Sequence, residues 1–333
     1  MNPSKNEEIA EKVLASLRDK LNQVVPVVEL LSTLNLEMKF LQSAVSQLQE
    51  WGYGITLTPN DICLISIPDI LSDVEIKYHL RTGFIGCEAV CYGSVKSTND
   101  IAKEKAENGA IHGTVIIADQ QTKGRGRFGR SWQSPPGCGA SISIILRPDF
   151  PPEKAPGISL IVALALSETL SKYCPSQVKI KWPNDVLISG KKTAGILNEL
   201  SADKNKIDYL VIGVGININQ TSDDFIGEIK DIATSVRMNC KKKINRAELV
   251  GGVLNQLEKE YLEYSENFLK NSLNRLRKYS SLIGQSLSVL SGNKKITGKV
   301  VDINPDGALV VDQNGELIAL SCGEVTILKN KLI

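Results

Sequence analysis

Histidine is nearly missing from this chain. Only His79 and His112 occur in 333 residues, and none of the seven cysteines forms a CxxC pair. With no ligand spacing of that kind, a zinc site is not expected. The cysteines (63, 87, 91, 138, 174, 240 and 322) are odd in number and scattered, which suits reduced thiols in cytoplasm. Net charge is also lacking. The 39 Lys and Arg against 37 Asp and Glu leave +2, so no global field points to nucleic acid or a membrane. No signal peptide opens the chain. No apolar run reaches the roughly 20 residues of a membrane span. The longest, Ile158 to Leu166 with only Ser159 interrupting, has the length of a buried helix. The chain is otherwise globular in composition, 42% hydrophobic and 23% charged, and long enough for two or three domains.

What is present in quantity is concentrated between Asp119 and Trp132. This stretch, D-Q-Q-T-K-G-R-G-R-F-G-R-S-W, holds Gly124, Gly126 and Gly129 among Lys123, Arg125, Arg127 and Arg130. Glycine lets a backbone approach a ligand closely, and arginine offers a planar fork of donors matched to phosphate and carboxylate. The strand-like run Thr114 to Ala118 precedes the loop and would hold it. The spacing predicts a loop that wraps an anion; a solvated basic turn is the alternative.

Read in order, the chain opens with a helix from Ser4 to Leu21. Ser4 and Glu7 form a capping-box pattern, and Ile9, Val13, Leu17 and Leu21 share one face. Further helices are expected over 27–34 and 38–51, with Gly52 as a C-cap. A hairpin of 55–57 and 62–67 around Pro59-Asn60-Asp61 follows. Residues 1–68 thus read as a winged helix-turn-helix. Lys39, Gln42, Ser43, Ser46 and Gln47 form the outward face of its third helix and are the candidate DNA contacts. Five Lys and Arg against eight Asp and Glu give this segment −3. That charge opposes phosphate binding, so a scaffold or protein-contact role stays open.

Residues 69–86 read as a linker with one short helix capped by Ser72. From 87 to 280 the predicted order of strand, helix, several strands and helices indicates an α+β domain, a mixed sheet with its helices on one side. Ser97 stands as N-cap of a helix over 98–107; beside the glycine-arginine loop, its exposed hydroxyl and that helix start could instead hold a polar small molecule. From 281 to 333, five strand-like runs (286–290, 296–303, 307–312, 316–320 and 324–328) are punctuated by Ser291-Gly292-Asn293, Pro305-Asp306-Gly307 and Asn314-Gly315. They read as a small barrel.

The loop sequence closely resembles the biotin-binding loop of biotin protein ligases. Three further segments agree in order: Ser97-Thr98-Asn99-Asp100; Lys181-Trp182-Pro183-Asn184-Asp185 with Lys192-Thr193-Ala194-Gly195-Ile196-Leu197; and Gly213-Val214-Gly215-Ile216-Asn217. The resemblance runs from about Tyr92 to the C-terminus. The first segment adds the form of the two-domain members that double as biotin operon repressors. The resemblance implies a class II synthetase-like core, an SH3-like C-terminal barrel, and a homodimer when liganded. It also implies an enzyme that makes biotinyl-5′-AMP from biotin and ATP with Mg²⁺. The biotin then passes to a lysine of the biotin carboxyl carrier protein of acetyl-CoA carboxylase, in the cytoplasm and with no membrane partner. Operator DNA is the possible second partner.

The resemblance also distributes roles. Ser97, Thr98, Asn99, Gln121, Arg125, Gly126, Arg127 and Lys192 match residues that bind biotin or its adenylate. Trp132 matches a residue that packs on adenine, and Asp185 and Asn217 match residues that serve ATP and Mg²⁺. Arg125, Lys192 and Asp185 are the candidate catalytic groups; Arg125, Trp132, Lys192 and Asn217 are the candidate ATP contacts. Plainer readings stand beside these: Lys192 as a hairpin lysine, Asp185 in an Asx turn, Asn217 ending a strand, Trp132 as core. Asp100 and Cys138 depart from the residues most expected at their positions. A lipoate ligase built on a related core would carry a histidine-containing glycine-rich signature instead, and this chain has none.

Overall fold

Apolar residues four apart, Ile9, Val13 and Leu17, give the first helix its buried stripe. The computed structural model describes residues 5–291, 294–321 and 323–327. The expected cap Ser4, the turn residues Gly292 and Asn293, Cys322 and Leu328 lie outside them. The chain divides between Asp69 and Ile70 into two units.

The first unit runs α1 (Lys5–Arg18), β1 (Val24–Pro26), α2 (Val27–Leu34), α3 (Met38–Glu50), β2 (Gly54–Leu57) and β3 (Asp61–Ser66). Leu21, expected on the buried face, is instead exposed, because α1 stops at Arg18 and Asn22 turns the chain with φ 62°. Strand β1 was not legible in the sequence. It is three residues long and ends in proline, which an edge strand tolerates. It pairs with β3, so the expected hairpin is two strands of a three-stranded antiparallel sheet in the order β1-β3-β2. In α3, Leu41, Ala44, Val45 and Leu48 are buried; Lys39, Gln42, Ser43 and Ser46 are exposed and Gln47 half-buried.

The second unit opens with α4 (Asp73–His79), where the Ser72 hydroxyl accepts the Glu75 N–H at 3.3 Å. The stretch read as a linker is held in place. The carboxylate of Glu258 accepts backbone N–H groups from Gly83, Phe84 and Ile85 at 2.5–2.9 Å. Next come β4 (Ala89–Val95), α5 (Thr98–Glu107), β5 (Val115–Gln121), β6 (Gly139–Leu146), α6 (Ala155–Leu170), β7 (Val178–Lys181), β8 (Asp185–Ile188), β9 (Lys191–Ala202) and β10 (Ile207–Asn217). These strands form one sheet in the order β4-β5-β6-β10-β9-β8-β7; only β4 and β5 are parallel.

Strand alternation assigns the two faces. Leu210, Ile212, Val214 and Ile216 of β10 join the main core, with the nearly all-apolar α6. Val211 turns the other way and packs with Ile116, Ile145 and the small residues Ala102 and Ala106 of α5. Helices therefore cover both faces, and the expectation of one side is corrected. Helix α5 lies where the sequence predicts it, over Thr98–Glu107, but its apolar stripe of alanines and one isoleucine is too thin to mark a second layer.

The chain continues through α7 (Ile229–Ile232), α8 (Val236–Cys240), α9 (Arg246–Asn267) and α10 (Leu273–Tyr279). A second antiparallel sheet follows: β11 (Ser286–Ser291), β12 (Lys294–Ile303), β13 (Leu309–Gln313), β14 (Glu316–Leu320) and β15 (Glu324–Ile327), in the order β14-β13-β12-β11-β15. Its Leu287, Val289, Val300 and Val311 belong to the same continuous core as the large sheet.

Candidate active site

Glycine makes the floor of the site. Gly195, Leu197 and Glu199 of β9 sit opposite Gly215, Gly213 and Val211 of β10, on the side of the sheet that carries α5. A Cβ at Gly213 would run into the Asn99 amide, and one at Gly215 into the indole of Trp132. The bare backbone lets both side chains lie directly on the sheet.

The wall comes from the start of α5. Ser97 occupies the N-cap position with extended backbone, yet its hydroxyl makes no capping hydrogen bond. Thr98 donates from its backbone N–H and its hydroxyl to Gln121 Oε1, at 2.8 and 3.0 Å. Ser143 Oγ lies 2.8 Å from Thr98 Oγ1 and 2.6 Å from Asn99 Oδ1. Asn99 Nδ2 donates to Glu199 Oε2 at 2.7 Å. Ser97, Thr98, Asn99 and Ser143 are all buried. This chain of bonds fixes the polar groups in one orientation, because an unmade bond at a buried site is costly.

The glycine-arginine loop forms the roof. Gly126 N donates to Arg130 O at 2.7 Å and Trp132 N to Gly124 O at 2.9 Å, so the loop is a tight hairpin. Its tip turns through Phe128 (φ 56°) and Gly129 (φ 74°), and Phe128 is exposed. Arg127 Nη1 reaches Asn184 Oδ1 at 2.8 Å. Arg125 instead takes both oxygens of Asp100, at 3.2 and 2.5 Å, and lies 3.8 Å from Glu199. That pairing holds the Asp100 carboxyl below its usual range and raises the Arg125 guanidinium.

The third cation enters from the far edge. Lys192 Nζ lies 2.7 Å from Asp185 Oδ1 and 5.7 Å from the centre of the Trp132 ring. No hydrogen bond among the described residues satisfies Asp185 Oδ1, although it is buried, so the contact with Lys192 is an ion pair.

Ser97, Thr98, Asn99, Gln121, Arg125, Gly126, Arg127, Trp132 and Lys192 all line one cavity of about 50 Å³. That is far below the roughly 300–1,000 Å³ of a small-molecule pocket, because Trp132 and the arginines fill it. Asp185 stands behind Lys192. Asn217 differs from expectation: its amide is buried, donates to Thr234 O at 3.2 Å and accepts from Gln220 Nε2 at 3.2 Å, outside the cavity lining. It ties β10 to the segment before α8, as a strand-terminating residue would.

Three participants escaped the sequence. Asn184 sits inside the W-P-N-D motif, where the ionisable Asp185 beside it carries the stronger chemical signal. Ser143 carried a signal: β6 is buried along its whole length, so a serine there needs a polar partner. Glu199 gave none, since its role depends on register with β10. A neighbouring cavity of about 490 Å³ shares Arg127, Asn184, Ile196 and Leu197 with the first and is floored by Leu160, Trp182 and Phe268.

No cluster of three His, Cys, Asp or Glu residues that could hold a metal by itself occurs among the described residues. Asp185, a buried-oxygen carboxylate paired with Lys192 at the edge of the cavity, fits the way Mg²⁺ is usually held, by one carboxylate together with substrate phosphates.

Comparison with known proteins agrees with this geometry. Residues 92–217 match the model of the biotin/lipoate A/B protein ligase family, and residues 282–328 that of the biotin protein ligase C-terminal domain. The bifunctional ligase/repressor BirA of Bacillus spizizenii is 38% identical over 269 residues, covering 80% of this chain and 83% of its own. The protein of that name from Escherichia coli is 27% identical over 298 residues, covering 89% and 90%. Among solved structures, the biotin protein ligase of Aquifex aeolicus in complex with biotin and ATP superimposes with a TM-score of 0.63 at 31% identity, covering 73% of this chain and 100% of its own.

Proposed function

We propose, from the premise that this chain belongs to the biotin protein ligase family, how its residues perform that family's two-step reaction. The enzyme is an ATP-dependent biotin protein ligase. Biotin carboxylate attacks the α-phosphorus of ATP, the bond to pyrophosphate breaks, and biotinyl-5′-AMP forms. An ε-amine of the carrier then attacks the carbonyl carbon, the bond to AMP breaks, and the nitrogen loses a proton.

The first step brings two anions together, so its barrier is largely electrostatic and cations with fixed positions lower it. The observation that carries this reading is the convergence of Arg125, Arg127 and Lys192 on one glycine-floored cavity. Arg125 and Arg127 would bind carboxylate and phosphate from the roof. Lys192, released from Asp185, would neutralise charge from the edge. Asp185, freed from Lys192, would hold Mg²⁺; bound there, the ion would shield phosphate charge and help pyrophosphate leave. Thr98, Asn99 and Gln121 present a prearranged set of donors and acceptors suited to a ureido group, with Ser97 beside them. Trp132 supplies a flat face for the adenine or for biotin's apolar chain. Ligands must lift the loop, since the cavity as it stands is too small for either. Closing the loop again would keep water from the mixed anhydride.

The acceptor we infer is a biotin carboxyl carrier protein, supported by the name of the relative from Mycobacterium tuberculosis, biotin--[acetyl-CoA-carboxylase] ligase; the second step itself requires only a lysine amine. We read the first unit as a winged helix-turn-helix, with Lys39, Gln42, Ser43, Ser46 and Gln47 facing operator DNA, and the C-terminal sheet as an SH3-like fold. The names of the BirA relatives support a repressor role; the −3 charge of residues 1–68 opposes it. Pairing of liganded chains would suit a two-fold operator. No helix among the described residues is long and apolar enough to cross a membrane, compatible with a cytoplasmic enzyme.

The test is incubation with Mg²⁺, α-labelled ATP and either biotin or lipoate. Labelled adenylate should form with biotin and be discharged by a carrier domain. Adenylate with lipoate alone would overturn the reading, as would none with either acid.

A further inference from the structure

The end-on fork of Arg125 is already occupied in the state described here. Its two terminal nitrogens are both taken by the Asp100 carboxylate, and Glu199 stands 3.8 Å from the same guanidinium. The end-on fork is thereby engaged on one carboxylate, and a ligand anion must compete with Asp100 for it. Lys103 completes the group: its Nζ lies 2.7 Å from Glu199 and 3.5 Å from Asp100. Two cations and two acids thus form a closed, neutral quartet at the edge of the site, on α5, β9 and the loop.

We propose that Asp100 is a built-in competitor for Arg125 that weakens binding of the anionic substrate, and that Lys103 is its counterweight. When a ligand carboxylate or phosphate draws Arg125 away, Asp100 and Glu199 would be left as unpaired like charges. Lys103 already touches both acids. Once Arg125 leaves, Lys103 is shared by the two acids, so substrate binding leaves one excess negative charge there instead of two. Asp100 contributes to affinity by opposing it; Lys103 contributes by making the opposition easy to overcome. The proposal rests on the reading of Arg125 as a ligand-binding cation.

Opposite signs make the idea testable. Biotin affinity of the full-length protein would be measured by calorimetry for wild type, Asp100→Asn, Asp100→Ser, Asp100→Glu and Lys103→Met, with melting temperatures confirming the fold. Because exposed ion pairs contribute up to about 1 kcal/mol, Asp100→Asn and Asp100→Ser should bind biotin about three- to fivefold tighter. Asp100→Glu, which keeps the charge, should bind as wild type does. Lys103→Met should bind more weakly by a similar factor, and its adenylation KM for biotin should rise while kcat holds. Unchanged or weaker binding by both uncharged Asp100 variants would overturn the competitor role. If wild type makes the adenylate while those variants bind unaltered, only this inference falls; if wild type binds no biotin, the assignment of the site falls with it.

Discussion

Arg125, Arg127 and Lys192 all line the same small cavity, and each is held by a different partner: Asp100, Asn184 and Asp185. Charge-assisted hydrogen bonds contribute about 1.5–3 kcal/mol each. Replacing Lys192 with Met should therefore slow adenylation about 10- to 150-fold without unfolding the protein, as single-turnover rates and circular dichroism would show. Gly213→Ala tests the floor. Its Cβ would displace the Asn99 amide, so biotin binding should weaken and the melting temperature should fall, in line with an overpacking cost of about 1–3 kcal/mol. Unaltered binding and stability would mean that the strand yields. Thiol reactivity offers a check on burial. Desolvation pushes the Cys174 thiol up to about 11 and the Cys91 thiol higher still. Neither should react with a thiolate-specific reagent at pH 7.5, where the protonated form dominates, until denaturant is added; alkylation of either in the folded chain would contradict the packing around it. At this scale the sequence was informative wherever chemistry and spacing coincide, as in the loop arginines and the run Ser97 to Asn99. Glu199 and Ser143 stayed hidden because their importance comes from what the sheet places beside them.

Among the elements, the loop between Gln121 and Trp132 carries the strongest expectation of movement. It covers the cavity with an exposed tip at Phe128, where φ is 56°. Limited proteolysis should cut there, after Arg127 or Arg130, and biotin with ATP should slow the cut severalfold by ordering the loop; indifference to ligand would place binding elsewhere. The long periodic segments, α3, α5, α6, α9 and the strands of the large sheet, were legible because burial imposes a regular pattern on them. What failed had weak patterns. Strand β1 has three residues, α7 and α8 have four and five, and no period can be read from so few. The second face of the sheet was missed because α5 packs through small residues, and alanine gives little hydrophobic contrast.

For the whole molecule, the division at 69/70 and the continuous main core from Ile76 to Val325 make separable claims. The larger unit contains every residue of the candidate site, so a chain starting at Ile70 should retain adenylation and lose only what the first unit supplies. Loss of adenylation in a folded fragment would show that the first unit completes the active site. Acid should act on the second unit through pairs such as Arg277 with Asp302, at 2.7 Å between α10 and β12. Hydrogen bonding to Arg277 holds the Asp302 carboxyl below its ordinary value. A depressed carboxyl stabilises above its unfolded value and stops doing so as pH falls through the folded one. Asp302→Asn should therefore lower the melting temperature at pH 7 and converge with wild type as the pH falls below the ordinary carboxylate range. The most direct test of the account is a single-turnover assay of biotinyl-AMP formation from α-labelled ATP by the wild type and by Arg125→Ala, Arg127→Ala and Lys192→Met. The account predicts biotin-dependent adenylate from the wild type and a loss of tenfold or more in the Arg125 and Lys192 variants, all folded. Formation at the wild-type rate in those two would contradict it, because the cations gathered at this cavity would then not be what joins the two anions.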